Sequence, residues 1–166
     1  MKANHLAGAQ LKSANLTGAK LLEANLQDAD ISGADLSQAN GEGIKLSGAT
    51  AKKTAFKGAV LAGATIEGAT FVQSDMSDVS LVNSLIAKCE FYSCELTGLR
   101  LHGSTLRDLV MQYSNLGALE ATNVTVVKTE AEPPRELKAV FSGKISDYKW
   151  PVDKKYGWYA GRTALR

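Results

Sequence analysis

Along most of the chain a large apolar residue recurs at every fifth position. In the stretch ANLQDADISGADLSQAN (residues 24–40), Leu26, Ile31 and Leu36 each follow an alanine two positions earlier and an Asn or Asp one position earlier. Such centres run without insertion from Leu6 to Leu116, 23 positions of which 22 are apolar; Gly41 alone fails. Two residues before each centre, 18 of the 23 positions are Ala, Ser, Thr or Cys, and the remaining positions are mostly polar or Gly. Five is neither the period of a helix nor that of a strand. On a helix, five residues advance the centre by about 500°, so the apolar residues would scatter over every face.

The pattern instead predicts a chain that turns after each five residues, with four sides closing a square coil of about 20 residues and coils stacking ~4.8 Å apart as parallel ladders. Centres such as Leu16, Leu26, Ile31, Leu36, Phe71 and Phe91 then fill a narrow interior, and the small residue two positions earlier also points inward. Phe71 and Phe91 are 20 residues apart and are expected to stack. Gly recurs two residues after the centre, where a turn benefits from its permissive backbone. Around Gly41 and Ala51 the core is underfilled, and Ile44 in the small-residue column is a candidate to fill the volume that Gly41 vacates.

Units such as ANLTG, ANLQD and ADLSQ resemble the A-[DN]-L-x-x signature of pentapeptide repeat proteins, and the resemblance covers about residues 4–118. It implies an all-β fold, a right-handed quadrilateral parallel β-helix of about six coils, followed by a non-repeat C-terminal tail. The expected division is a β-helix over 1–118 and a basic, aromatic-rich extension over 119–166. After Thr70 the period persists but alanine is lost, and Val79, Leu99 and Leu109 enter the small-residue column. A widened or differently packed lower half is expected there. Met1 and Lys2 directly precede the first coil, which is expected to carry no cap of its own.

Charge separates the two parts. Residues 1–118 hold 10 basic and 11 acidic side chains, and residues 119–166 hold 9 and 6. No apolar run approaches a membrane span of about 20 residues, and the N-terminus lacks the apolar core of a signal peptide, so a cytoplasmic protein is expected. Catalytic chemistry finds no foothold. His5 and His102 fall at outward positions of different coils, Cys89 and Cys94 fall in the small inward column, and Asp30, Asp35, Asp75, Glu90 and Glu95 lie just before centres. The expectation is therefore no enzyme, no cofactor and no metal.

What remains is surface. The tail holds both tryptophans and six of the 11 aromatics. Trp150, Tyr156, Trp158 and Tyr159, flanked by Lys149, Lys154, Lys155 and Arg162, have the composition of a partner-binding anchor; packing of the same aromatics across the last coil as a cap is the alternative. The expected function is a non-enzymatic interaction or scaffold protein, a small subunit of a larger assembly, with protein partners and room for end-to-end or homo-oligomeric association. Nucleic acid is a weak candidate for the tail. Within the resembled family, quinolone-resistance and toxin-immunity proteins mimic DNA and bind DNA gyrase. That alternative requires a continuous acidic stripe, whereas Lys12, Lys20, Lys45, Lys52, Lys53, Lys57, Arg100 and Arg107 are interspersed here. A secreted bacterial effector is the third reading.

Overall fold

From His5 onward each segment pairs in parallel with the segment 20 residues later. Bridges join His5 to Asn25, Gln10 to Asp30, Asn15 to Asp35 and Lys20 to Asn40, and each series continues down the chain in the same register. One circuit therefore takes 20 residues and has four sides, named here for those first residues. The computed structural model describes residues 5–115, 117–127, 130–131 and 140–142, and among them there is no helix.

Two kinds of side build the coil. In the first, the centre carbonyl accepts the amide hydrogen bond of the residue three positions on, as in Ala9 to Leu6 (3.0 Å) and Ala34 to Ile31 (3.0 Å). With positive φ at the third of the four residues, this is a type II turn. The residue before the centre supports it: the Asn or Asp side chain accepts the amide of the residue after the centre, at 3.1 Å in Asn25–Gln27, 2.8 Å in Asp35–Ser37 and 2.9 Å in Asp75–Ser77. The Asn/Asp of the repeat is thus a local backbone cap.

The second kind is a short strand. These are β1 (Thr50–Lys52), β2 (Thr65–Glu67), β3 (Thr70–Val72), β4 (Leu85–Ala87), β5 (Glu90–Tyr92), β6 (Thr105–Arg107), β7 (Val110–Gln112), β8 (Glu120–Thr122), β9 (Thr125–Val127), β10 (Glu130–Ala131) and β11 (Val140–Ser142). In β1, β2, β3, β6, β7 and β9 a β-branched Thr or Val takes the place of the capping Asn or Asp. Such residues cannot cap the turn in the same way and favour extended backbone. The order β2-β4-β6-β9 continues the His5 face, β1-β3-β5-β7-β10 the Gln10 face and β11-β8 the Lys20 face. Among the described residues single bridges alone tie the Asn15 face. Strands replace turns from Thr50 onward, with the 20-residue register intact. Val79, Leu99 and Leu109 are all buried. Pairing also runs past residue 118, since β9, β10 and β11 pair with β6, β7 and β8.

Every fifth residue from Gly8 to Asn123 has positive φ, between 50° and 71°, and 14 of these 24 residues are not Gly. Glycine is therefore favoured at that column without being required. An L-residue there costs roughly 1–2 kcal/mol, which the ladders on either side must offset.

The interior is filled. Leu26, Ile31 and Leu36 are fully buried, Phe71 and Phe91 nearly so, and Leu16 in the first circuit is partly buried. The Phe71 and Phe91 rings stack with centroids 4.8 Å apart and planes 3° from parallel, and Phe56 meets Phe71 edge-on. At Gly41 no bulge forms. A Cβ placed there would lie 2.9 Å from Leu61 Cδ2 and 3.2 Å from Ile44 Cδ1, so those side chains occupy the missing centre's space.

Small polar residues have a separate task inside. Ser74 Oγ donates to the Ala51 carbonyl (2.7 Å), Thr54 Oγ1 to that of Ile31 (2.9 Å) and Ser84 Oγ to that of Leu61 (3.2 Å), each reaching the preceding circuit. On strand β1 the Ala51 carbonyl has no turn hydrogen bond and Ser74 supplies another, whereas the Ile31 and Leu61 carbonyls keep theirs from Ala34 (3.0 Å) and Ala64 (3.2 Å) and take the hydroxyl as a second donor. No buried side-chain polar atom among the described residues lacks a partner, as a closed core demands.

Candidate interaction surfaces

The solenoid turns three of every five side chains outward at fixed spacing, so the faces differ by sequence alone. The Asn15 face carries Asp35, Asp75, Asp78 and Glu95 against a single cation, Lys57, amid Gly, Ala, Ser and Thr. It is flat and acidic. Its carboxylates are held in place: Asp75 accepts the Ser77 amide and hydroxyl, Glu95 accepts the Thr97 amide and hydroxyl, and Asn115 Nδ2 donates to Glu95 at 3.1 Å. On the other faces acids and bases are more evenly mixed. Acidity is thus segregated to one side of a rod whose net charge is small, which the count over residues 1–118 conceals.

Among the remaining charges, Lys12 pairs with Asp30 at 3.0 Å and Lys88 with Glu67 at 2.9 Å. Hydrogen bonds from Ser32, with Lys12 alongside, hold the Asp30 carboxyl down at about 2, and the Ser37 hydroxyl and amide lower that of Asp35. The Lys88 ammonium lowers Glu67.

Cys89 and Cys94 are buried, and neither forms a disulfide. Cys89 Sγ reaches the Ala87 and Ile66 carbonyls, and Cys94 Sγ the Phe71 carbonyl. They stand at the same repeat position as the serines and, like them, reach centre carbonyls of the preceding circuit. Burial pushes the Cys89 thiol up to about 11 and raises Cys94 as well, so both are poor nucleophiles. His5 is exposed on the first circuit, and His102, far down the Lys20 face, has Nδ1 2.7 Å from Thr122 Oγ1. No group of three or more His, Cys, Asp or Glu among the described residues is placed to hold a metal ion. No helix of the described part is long and apolar enough to cross a membrane.

The anchor residues expected in the tail, Lys149, Trp150, Lys154, Lys155, Tyr156, Trp158, Tyr159 and Arg162, lie outside the described residues. Sequence reading missed a second aromatic feature, on the Gln10 face. Tyr92 and Tyr113 are 46% and 68% exposed and meet edge to face with centroids 5.2 Å apart. The signal was present, since Tyr92 follows a centre by one and Tyr113 by two, both outward positions.

The model of the family described as pentapeptide repeats matches residues 5–40 and 42–78, in eight copies. Among curated proteins none matches the chain in sequence. A pentapeptide repeat protein from the Arabidopsis thaliana thylakoid lumen aligns with a TM-score of 0.52 at 24% identity, over 60% of this chain and 66% of its own. HetL, involved in heterocyst differentiation regulation in Nostoc sp. strain PCC 7120, gives 0.31 at 19% identity, over 75% of this chain and 64% of its own. This chain thus spans just under two thirds of both. QnrB1, a plasmid-mediated fluoroquinolone resistance protein, gives 0.48 at 11% identity, over 84% of this chain and 91% of its own. At 24% identity the likeness to the thylakoid-lumen protein is one of fold alone.

Proposed function

Because the chain is a pentapeptide-repeat protein, we propose that it works without catalysis, as a cytoplasmic interaction or scaffold protein that engages protein partners through its solenoid faces and its C-terminal arm. The carrying observation is the filled interior together with outward side chains fixed on four chemically distinct faces. Such a rod has surface to offer and little else. Its cysteines are buried, and Asp30, Asp35, Asp75 and Glu95 are committed to backbone caps.

Affinity purification from native extract tests this with the full chain and with a version ending at Ser142. The ladder through β11 is retained in the shorter form. The reading expects a defined protein complex with the full chain, and loss of that complex on truncation with little change in melting temperature. Recovery of no protein partner contradicts it. A truncated form that melts lower yet keeps its partner assigns the tail to capping.

The acidic Asn15 face favours one second reading, inhibition of DNA gyrase by mimicry of DNA. A supercoiling assay separates the two. Inhibition at stoichiometric protein that disappears on neutralising Asp35, Asp75, Asp78 and Glu95 supports mimicry, and undiminished supercoiling removes it.

A further inference from the structure

On the Gln10 face, Lys52, Val72, Tyr92 and Gln112 stand directly above one another on β1, β3, β5 and β7. The neighbouring column contains Tyr113 and Lys53, one residue beyond Lys52. Both lysines are exposed, and neither has an ion-pair partner among the described residues. The face therefore reads, along the rod axis, as two free cations, a half-buried Val72, and two tyrosines that are the most exposed aromatics described. The other exposed large apolar residues, Leu22 and Val60, stand alone on the Lys20 face.

We propose that this corner docks an extended, acidic segment of a partner protein, an inference that rests on the interaction reading above. The partner's carboxylates meet Lys52 and Lys53, and an apolar side chain of the same segment settles on the Tyr92–Tyr113 pair. The spacing suits an extended chain. Lys52 and Tyr92 are two circuits apart, about 10 Å, which about three residues of extended backbone span at 3.3 Å each. Backbone groups on this face are already paired in the ladder, so recognition works through side chains. Tyrosine combines large area with few rotatable bonds, which is why it dominates interface hot spots.

A polypeptide fits better than a nucleic acid. Glu90 is exposed on β5 beside Tyr92 and repels a continuous phosphate backbone, whereas a discrete carboxylate reaches the lysines unopposed. The edge-to-face arrangement of the rings also leaves no ladder of parallel ring faces for successive bases.

Linear peptides selected by display on the intact protein test the proposal, with solution affinities measured on surface variants. The enriched peptides should carry Asp or Glu about three residues from an apolar residue. Their affinity should fall about tenfold or more in Tyr92→Ser/Tyr113→Ser and in Lys52→Glu/Lys53→Glu. It should stay within about twofold in Glu23→Gln/Glu42→Gln, placed on the Lys20 face, with all variants melting like the parent. Peptides indifferent to both Gln10-face pairs, or basic peptides, overturn the inference. So does a dT12 oligonucleotide that binds more tightly than every selected peptide and is lost in the Tyr variant. If the native complex survives Tyr92→Ser/Tyr113→Ser, the docking surface is wrong and the interaction reading stands.

Discussion

Gly41 and Ile44 form an exchanged pair, and a double-mutant cycle measures the exchange. In most units a large residue sits at the centre and a small one in the inward column; here the centre is Gly and the column holds a fully buried Ile. Ile44→Ala removes three buried carbon groups, about 2.4 kcal/mol of transfer free energy at 0.8 each. The cavity left in a closed core raises the cost to about 2–5 kcal/mol. Gly41→Leu alone drives a side chain into space where even a Cβ would lie 2.9 Å from Leu61 Cδ2, so overpacking should cost about 1–3 kcal/mol or more. Together the two changes restore the usual arrangement, and the double variant should lie within about 1.5 kcal/mol of the parent, as volume-conserving swaps do. The coupling free energy is then at least about 1.5 kcal/mol. Urea unfolding of the four proteins provides it. Additive effects would refute the exchange and show that Gly41 is tolerated for another reason.

Other outcomes follow from the same structure. Leu26→Asp buries an unpaired carboxylate at a fully buried centre, which costs several kcal/mol, and should unfold the upper circuits by circular dichroism; an unchanged melting temperature would contradict the inward assignment of centres. Gly68 has φ +67° with open space where a Cβ would go, so Gly68→Ala should cost only the backbone penalty of about 1–2 kcal/mol, read by the same urea titration. Asp30 has its folded-state pKa depressed to about 2 from 3.8, so its contribution is fully present above pH ~4 and is lost as the pH falls towards 2. Asp30→Asn keeps the amide cap, as Asn25 does with Gln27; acid titration followed by circular dichroism should find the variant close to the parent at neutral pH and less acid-sensitive. Cys89 and Cys94 should resist a disulfide reagent in the native protein at pH 8 and react fully in denaturant, since burial suppresses their thiolates.

Much of the fold was legible because the period is covalent in origin. One inward centre per five residues fixes the circuit length, and so the stacking of Phe71 on Phe91 could be written down from numbering. Less legible was the division between turns and strands, to which the residue before the centre contributes: Asp35 caps a turn amide, Thr70 does not. The hydroxyl ladder of Thr54, Ser74 and Ser84 was equally hidden, because a small residue reads as small until the carbonyl of the preceding circuit shows what its oxygen is for. The surface divides the same way. Once the register is known, the acidic Asn15 face and the Tyr92–Tyr113 corner are plain, yet a charge count over residues 1–118 averages them away.

The central claim is that this rod acts by presenting distinct faces to another protein. Lysine-reactive cross-linking of the full chain in native extract, with mass-spectrometric identification of the linked residues, tests it most directly. The account predicts cross-links to a second protein that cluster on one face, with Lys52 and Lys53 leading, and on the arm at Lys149, Lys154 and Lys155. Links spread evenly over Lys12, Lys20, Lys45, Lys57 and Lys88, or confined to the chain itself, would contradict it.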